Sequence, residues 1–223
     1  MGFFRSIKDT LRPLLSDKTI LKMNQQQKLI HGKLTSQQVQ PNSIDLTLAD
    51  SVKVPKNNFI YVSGSEMIPV MNPMIKMEYD VEQFKPAEYQ PGKWKFANHR
   101  KYYILEPGKF VLMASREILD IPNGYIGFVQ GRSSIARMGI QTEQAGLIDA
   151  GFTGTITFEV INNSEYPILL FEGMRIAQVY FFKAQYADKI YGIAKHSKYS
   201  RQIAATESRI HLDAEWHSPV PKE

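Results

Sequence analysis

The stretch GRSSIARMGI crowds two guanidiniums and two hydroxyls, on Arg132, Ser133, Ser134 and Arg137, into six residues. Guanidinium forks and hydroxyl donors suit phosphate oxygens, so this is either an anion site or a solvated turn closing the strand-like YIGFVQ. A second group of chemically capable residues follows in AGLIDAGFTGTITFEVINN, Ala145 to Asn163. Asp149-Ala150-Gly151 reads as a tight turn, and Gly154 frees the backbone just before TITFEVI. In that strand Ile156, Phe158 and Val160 share one face, while Thr155, Thr157 and Glu159 share the other. On an open face Thr-Thr-Glu is an ordinary polar sheet surface. Facing a pocket, Glu159 loses solvent, and desolvation favours its neutral form and suits it to proton transfer. Asp149 adds a second carboxylate in a different setting. Two such carboxylates near guanidiniums suit hydrolysis of an anionic substrate, which these residues do not identify.

The elements that must hold these groups read mostly as strands. NSIDLTLAD alternates Ile44, Leu46 and Leu48 with Ser43, Asp45 and Thr47, a half-buried strand. KYYILEPGKFVLMAS places two apolar runs around Glu106-Pro107-Gly108, and YPILLFEGMRIAQVYFF repeats the design around Glu172-Gly173, so two hairpins of one geometry are expected. Upstream, SDKTILKMNQQQKLIHGKL predicts a helix with Ser16 as N-cap and Gly32 near its stop. Residues 64–100, with several prolines, read as long loops with a short strand or two. Beyond Tyr191 hydrophobic density falls, which predicts an extended arm.

Short strands broken by turn residues make the chain mainly β, an antiparallel β-barrel or jelly roll. Its 223 residues suffice for one packed domain, and 43% hydrophobic with 22% charged residues is ordinary for a globular protein. The net charge of +5 points to an anionic partner. Its lysines and arginines are scattered among acids, with no dense basic block of the kind that grips nucleic acid. No segment has the apolar length of a membrane span and no leader pattern is visible, so neither membrane nor export is expected. With no cysteine, disulfides and thiol nucleophiles are absent and a reducing cytoplasm is the expected compartment. The loose myristoylation pattern MGFFRS and the sequon Asn162-Asn163-Ser164 are read as chance matches.

GRSSIARMGI, AGLIDAGFTGTITFEVIN, GMRIAQVYF, the tail SKYSRQ, and upstream LSDKTI and PNSIDLTLAD together resemble, in order and spacing, the dCTP deaminase branch of the dUTPase superfamily over roughly residues 15–212. The resemblance implies a dUTPase-like jelly roll with short N-terminal helices, and a division into an N-terminal extension (1–14), a barrel domain (15–190) and a C-terminal arm closing over the site (191–223). It implies that Arg132, Ser133, Ser134 and Arg137 contact the nucleotide, its phosphates included, with Ser133 and Arg137 near the reacting base. Glu159 would be the catalytic acid/base and Ala145 would lie close to the attacking water. Asp149 would hold the deoxyribose, Thr157, Phe158 and Glu159 would run beside the base, and Tyr191, Lys198 and Gln202 would close over the nucleotide. The implied reaction is metal-free hydrolysis of dCTP to dUTP and ammonia. Zinc cytidine-type deaminases need a Pro-Cys-x-x-Cys signature, which a chain without cysteine cannot supply. Magnesium would enter only with the triphosphate. Partners implied are dCTP, with dUTP and dTTP as further ligands, and two more copies of the chain in a homotrimer with sites between subunits.

Two features bear on a second activity, dUTP cleavage to dUMP and diphosphate, which would supply thymidylate synthesis. Gly146 stands where deaminase-only members often carry histidine, and resembles bifunctional members and dUTPases. Gln144 stands where bifunctional members often carry threonine or asparagine. Deaminase-only and bifunctional readings both stay open. A dUTPase-only reading lacks the glycine-rich phosphate-covering tail, and a non-catalytic nucleotide-binding barrel leaves the filled catalytic positions unexplained.

Overall fold

The structure is a computed structural model that describes residues 13–56, 59–61, 67–69, 78–86, 101–142, 145–193 and 197–213. The lead MGFFRSIKDTLR, Gln144 and the last ten residues of the tail lie outside these. The strands are β1 (Leu29–His31), β2 (Ile44–Pro55), β3 (Phe59–Tyr61), β4 (Met67–Pro69), β5 (Tyr79–Gln83), β6 (Lys85–Pro86) and β7 (Lys101–Leu105), then β8 (Phe110–Asp120), β9 (Tyr125–Gly131), β10 (Ile140–Gln141), β11 (Leu147–Ile148), β12 (Thr153–Asn162), β13 (Ile168–Phe171) and β14 (Arg175–Lys183). Among the described residues two helices, α1 (Asp17–Gln25) and the single turn α2 (Ser133–Ala136), complete the framework with a 3-10 turn at Ile210–Leu212. As expected the fold is mainly β, an antiparallel sheet curled into a half-barrel. Its nine strands run β10-β12-β8-β2-β14-β9-β11, with β1 added on β8 and β5 on β2, and β13-β7-β6 form a separate three-stranded sheet. Leu46, Leu48, Met113, Phe158, Val179 and Phe181 fill the interior, each at 2% exposure or less. Among the described residues no helix is long and apolar enough to cross a membrane.

Three local expectations are corrected. The predicted helix over 16–34 stops at Gln25, and Leu29–His31 is a strand paired with Asp120–Ile118 of β8. Leu29 and Ile30 are both fully buried, and a sheet edge satisfies two adjacent apolar side chains and their backbone together. Ser16 does occupy the N-cap position, yet its side chain makes no capping hydrogen bond. The two turn motifs are real, with Gly108 at φ +68° and Gly173 at φ +72°. They are not hairpins. The strands before them, β7 and β13, pair with each other, while β8 and β14 enter the large sheet. Each turn is a corner at which the chain changes sheets.

The third correction concerns β2, which is buried on both faces. Asp45 is 1% and Thr47 9% exposed, alongside Ile44, Leu46 and Leu48 at 0%. The loop at 35–40 covers the face expected to be wet. Gln38 donates to the Asp45 carbonyl at 3.2 Å and to Glu117 Oε1 at 2.8 Å, and Thr47 gives its amide and hydroxyl to Glu117 at 2.8 and 2.7 Å. Glu117 can reach because β8 leaves the ladder there: Thr155 pairs with Ile118 but Thr157 with Ala114. The Ile156 amide, stranded by that bulge, donates to Ser115 Oγ at 2.8 Å.

Candidate active site

The expected alternation holds in β12 from Thr157 to Val160. Before that, the bulge between Thr155 and Thr157 turns Ile156 to the cavity and buries Thr155, the reverse of the expected faces. Phe158 and Val160 are fully buried, while Thr157 and Glu159 line a cavity of about 500 Å³. That volume falls in the range of small-molecule sites. Ala145, Asp149, Tyr191 and Gln202 line the same cavity. Half of the predicted site residues therefore converge. The Phe158 side chain does not join them, because it points into the core, and only its backbone runs beside the cavity.

Close backbone approaches fix the cavity wall. The Val129 amide donates to the Gly146 carbonyl at 2.7 Å, and a Cβ on Gly146 would lie 2.4 Å from the Val129 carbonyl oxygen. Only glycine allows β11 this near to β9, which carries Ala145 to the rim. The tail then folds back over its own barrel. The Tyr191 amide donates to the Ala150 carbonyl at 2.9 Å, and Tyr191 Oη accepts the Tyr199 amide at 3.0 Å. Gln202 forms a parallel bridge to Gly154, accepts the Thr155 amide at 2.8 Å and returns its Nε2 to the Thr155 carbonyl at 2.6 Å. A Cβ on Gly154 would stand 2.7 Å from the Gln202 carbonyl oxygen, so this glycine too is set by close approach. Further on, the Thr206 amide donates to Thr157 Oγ1 at 3.0 Å, and Lys53 pairs with Glu207. Lys198 lies on this segment with its Nζ held by both Asp213 oxygens at 2.7 and 2.8 Å.

Arg132 and Ser134 face a different cavity of about 850 Å³, which also meets Lys33, Arg116 and Arg175. Ser133 and Arg137 are exposed on and just after α2, a turn anchored by the buried Ile135. Within one chain, the carboxylates and the phosphate-suited cations are thus on separate surfaces. Among the described residues the first cavity is lined by Asp149 and Glu159 and by no lysine or arginine.

Sequence reasoning missed several residues. Tyr79 and Tyr199 line the first cavity. Burial pushes the Tyr79 hydroxyl above its ordinary range, with Glu207 and Tyr199 adding to the shift, so it stays a proton donor at neutral pH. Tyr199 belongs to the SKYSRQ motif and was open to notice, whereas Tyr79 falls in a stretch that reads as loop. Asp45, expected on the polar face of a half-buried strand, pairs with both Arg132 and Arg175. Burial pushes its carboxyl above the usual range against the pull of the two guanidiniums.

A curled antiparallel sheet, with two acids lining a small-molecule cavity and a tail laid across it, defines a ligand-binding β half-barrel equipped for proton transfer. The chain belongs to the dCTP deaminase-like family, which it matches over residues 14–184. A relative from Hydrogenobaculum sp., named dCTP deaminase, dUMP-forming, is 34% identical over 200 residues, covering 90% of this chain and 97% of its own. Another of the same name from Methanoculleus marisnigri is 39% identical over 179 residues, 79% of this chain and 83% of that one. The fold is similar to a crystal structure of 2'-deoxycytidine 5'-triphosphate deaminase from Agrobacterium tumefaciens, with a TM-score of 0.56 at 21% identity. That match covers 77% of this chain and spans about half, 48%, of the solved one.

Proposed function

We propose that this chain hydrolyses dCTP to dUTP and ammonia, and then dUTP to dUMP and diphosphate, in sites completed by a neighbouring copy. The observation that carries the reading is Glu159, in the family's motif, lining a closed-over cavity with Ala145, Asp149 and Thr157. Relatives named as dUMP-forming, matched over 97% and 83% of their length, favour the two-step outcome over deamination alone. Gly146, held against Val129, leaves no room for the histidine of deaminase-only members, which supports the same choice.

In the first step a water beside Ala145 attacks C4 of cytosine and passes a proton to Glu159, which delivers it to N3. The tetrahedral centre then collapses, C4–N4 breaks, and a second proton relayed by Glu159 leaves with ammonia. Thr157 and Glu159 flank the base, Asp149 takes the deoxyribose, and Tyr191, Gln202 and a Lys198 released from Asp213 cover the nucleotide. A tetraanionic triphosphate is not balanced by a cavity whose charged lining, among the described residues, is Asp149 and Glu159. Arg132, Ser133, Ser134 and Arg137 of an adjacent subunit would supply the missing charge and donors, with Ser133 and Arg137 steadying water and developing charge. This is the reason to read the assembly as a homotrimer with sites at its boundaries.

Among the described residues no group of three carboxylates and histidines could cage a metal. Magnesium enters with the triphosphate oxygens, as it does with free nucleoside triphosphates, and there neutralises phosphate charge. The cytoplasm is the compartment this reading assigns. The test is purified protein with dCTP in zinc-free buffer, with ammonia, dUTP and dUMP resolved. Ammonia and dUMP should accumulate together, and Glu159→Gln should abolish both. Undiminished ammonia release from that variant would remove Glu159 from the mechanism.

A further inference from the structure

We propose that Asp45 is a positioning residue for Arg132, holding its guanidinium in the orientation that takes a substrate phosphate. The proposal rests on the reading of Arg132 as a phosphate contact. Asp45 lies within β2 with a side chain 2% exposed. Its Oδ2 meets Arg132 Nε at 3.1 Å and Arg175 Nη1 at 2.9 Å, and Gln40 Nε2 approaches it at 3.4 Å. Arg132 also donates Nη1 to the Arg175 carbonyl at 3.0 Å. One guanidinium donor, Nη1, is therefore hydrogen-bonded to the main chain, and the Nε edge is held against Asp45 as an ion pair, which together restrain the plane of the group and leave Nη2 for a ligand. Arg132 keeps 23% of its side chain exposed, so the fixed group stands at a cavity mouth.

A merely architectural role fits poorly. Replacing a buried ion pair by apolar side chains of similar volume is often neutral or stabilising, so packing alone gives no reason for an acid in the middle of β2. Presentation of Arg132 does give one. An arginine already held loses little rotamer freedom when a phosphate arrives, whereas a free one forfeits much of the contact in ordering.

The experiment measures dCTP deamination by the full chain as wild type, Asp45→Asn, Arg132→Met, the double variant and Arg175→Gln, with competition by deoxycytidine, which has no phosphate. Asp45→Asn should raise KM for dCTP about tenfold, the scale of one weakened charge-assisted hydrogen bond, with kcat nearly unchanged. The deoxycytidine inhibition constant should not move, and Asp45→Asn should add nothing in the Arg132→Met background. Arg175→Gln, which leaves the Asp45–Arg132 contact in place, should lower Tm yet keep KM near wild type. Equal losses from Asp45→Asn with and without Arg132, a matching KM change in Arg175→Gln, or a shifted deoxycytidine constant would overturn the proposal. If Arg132→Met leaves KM unchanged, the phosphate reading of Arg132 falls and takes the proposal with it. A raised KM there beside a wild-type KM in Asp45→Asn sinks the proposal alone. In the unmutated protein the Arg132 Nε–H group, assigned by its loss in Arg132→Met, should show by 15N relaxation an order close to that of the backbone. Motion as free as in an unrestrained arginine overturns the proposal even if Asp45→Asn fails to fold.

Discussion

Phe158 and Glu159 are consecutive in sequence and opposite in fate, one fully buried and the other lining the cavity. Phe158→Ala should cost about 3–5 kcal/mol of stability, as large aromatic deletions in cores do. Calorimetry should show the lowered Tm, while KM for dCTP in the remaining folded enzyme stays near wild type. A raised KM with unchanged Tm would restore Phe158 to the substrate surface. That Glu159 and Asp149 share one cavity was legible because the two-residue period of a strand acts locally. Asp45 was not, since its burial depends on a covering loop and on Arg132 and Arg175, residues distant along the chain.

The tail segment is attached chiefly through main-chain groups, at Thr153, Gly154 and Thr155, and through the Thr206 amide on Thr157 Oγ1. Proline has no such amide, so Thr206→Pro should loosen the cover without touching the barrel. The expected outcome is a KM for dCTP raised several-fold, the loss of roughly 1 kcal/mol for one hydrogen bond, with Tm little changed. Steady-state kinetics beside a melting curve checks both. An unchanged KM would mean that this part of the tail does not bear on the nucleotide. Element type was legible for most strands, and turn residues at Gly108 and Gly173 were placed correctly. Partnership was not legible, because a corner and a hairpin use the same left-handed glycine, and what separates them is the sheet awaiting the outgoing strand. The overlong helix fails for the same reason: Leu29 and Ile30 suit a helix until β8 offers an edge.

Separation of the carboxylate cavity from the cationic surface makes the assembly testable by mixing. The Glu159→Gln and Ser133→Ala proteins should each be nearly inactive. Denatured together and refolded in equal amounts, they should regain activity at about a quarter of the sites if each site draws on two subunits in a closed ring. Mixtures no better than their parents would place the whole site in one chain. The two sheet-changing corners carry a different implication, for how the molecule comes to exist at all. Neither Gly108 nor Gly173 joins strands that can zip together from the turn outward, and β7 must wait for β13 before either corner is held. Folding is thereby governed by the slow closure of long stretches of chain, and on leaving the ribosome the polypeptide stays unfinished until its last barrel strands have emerged.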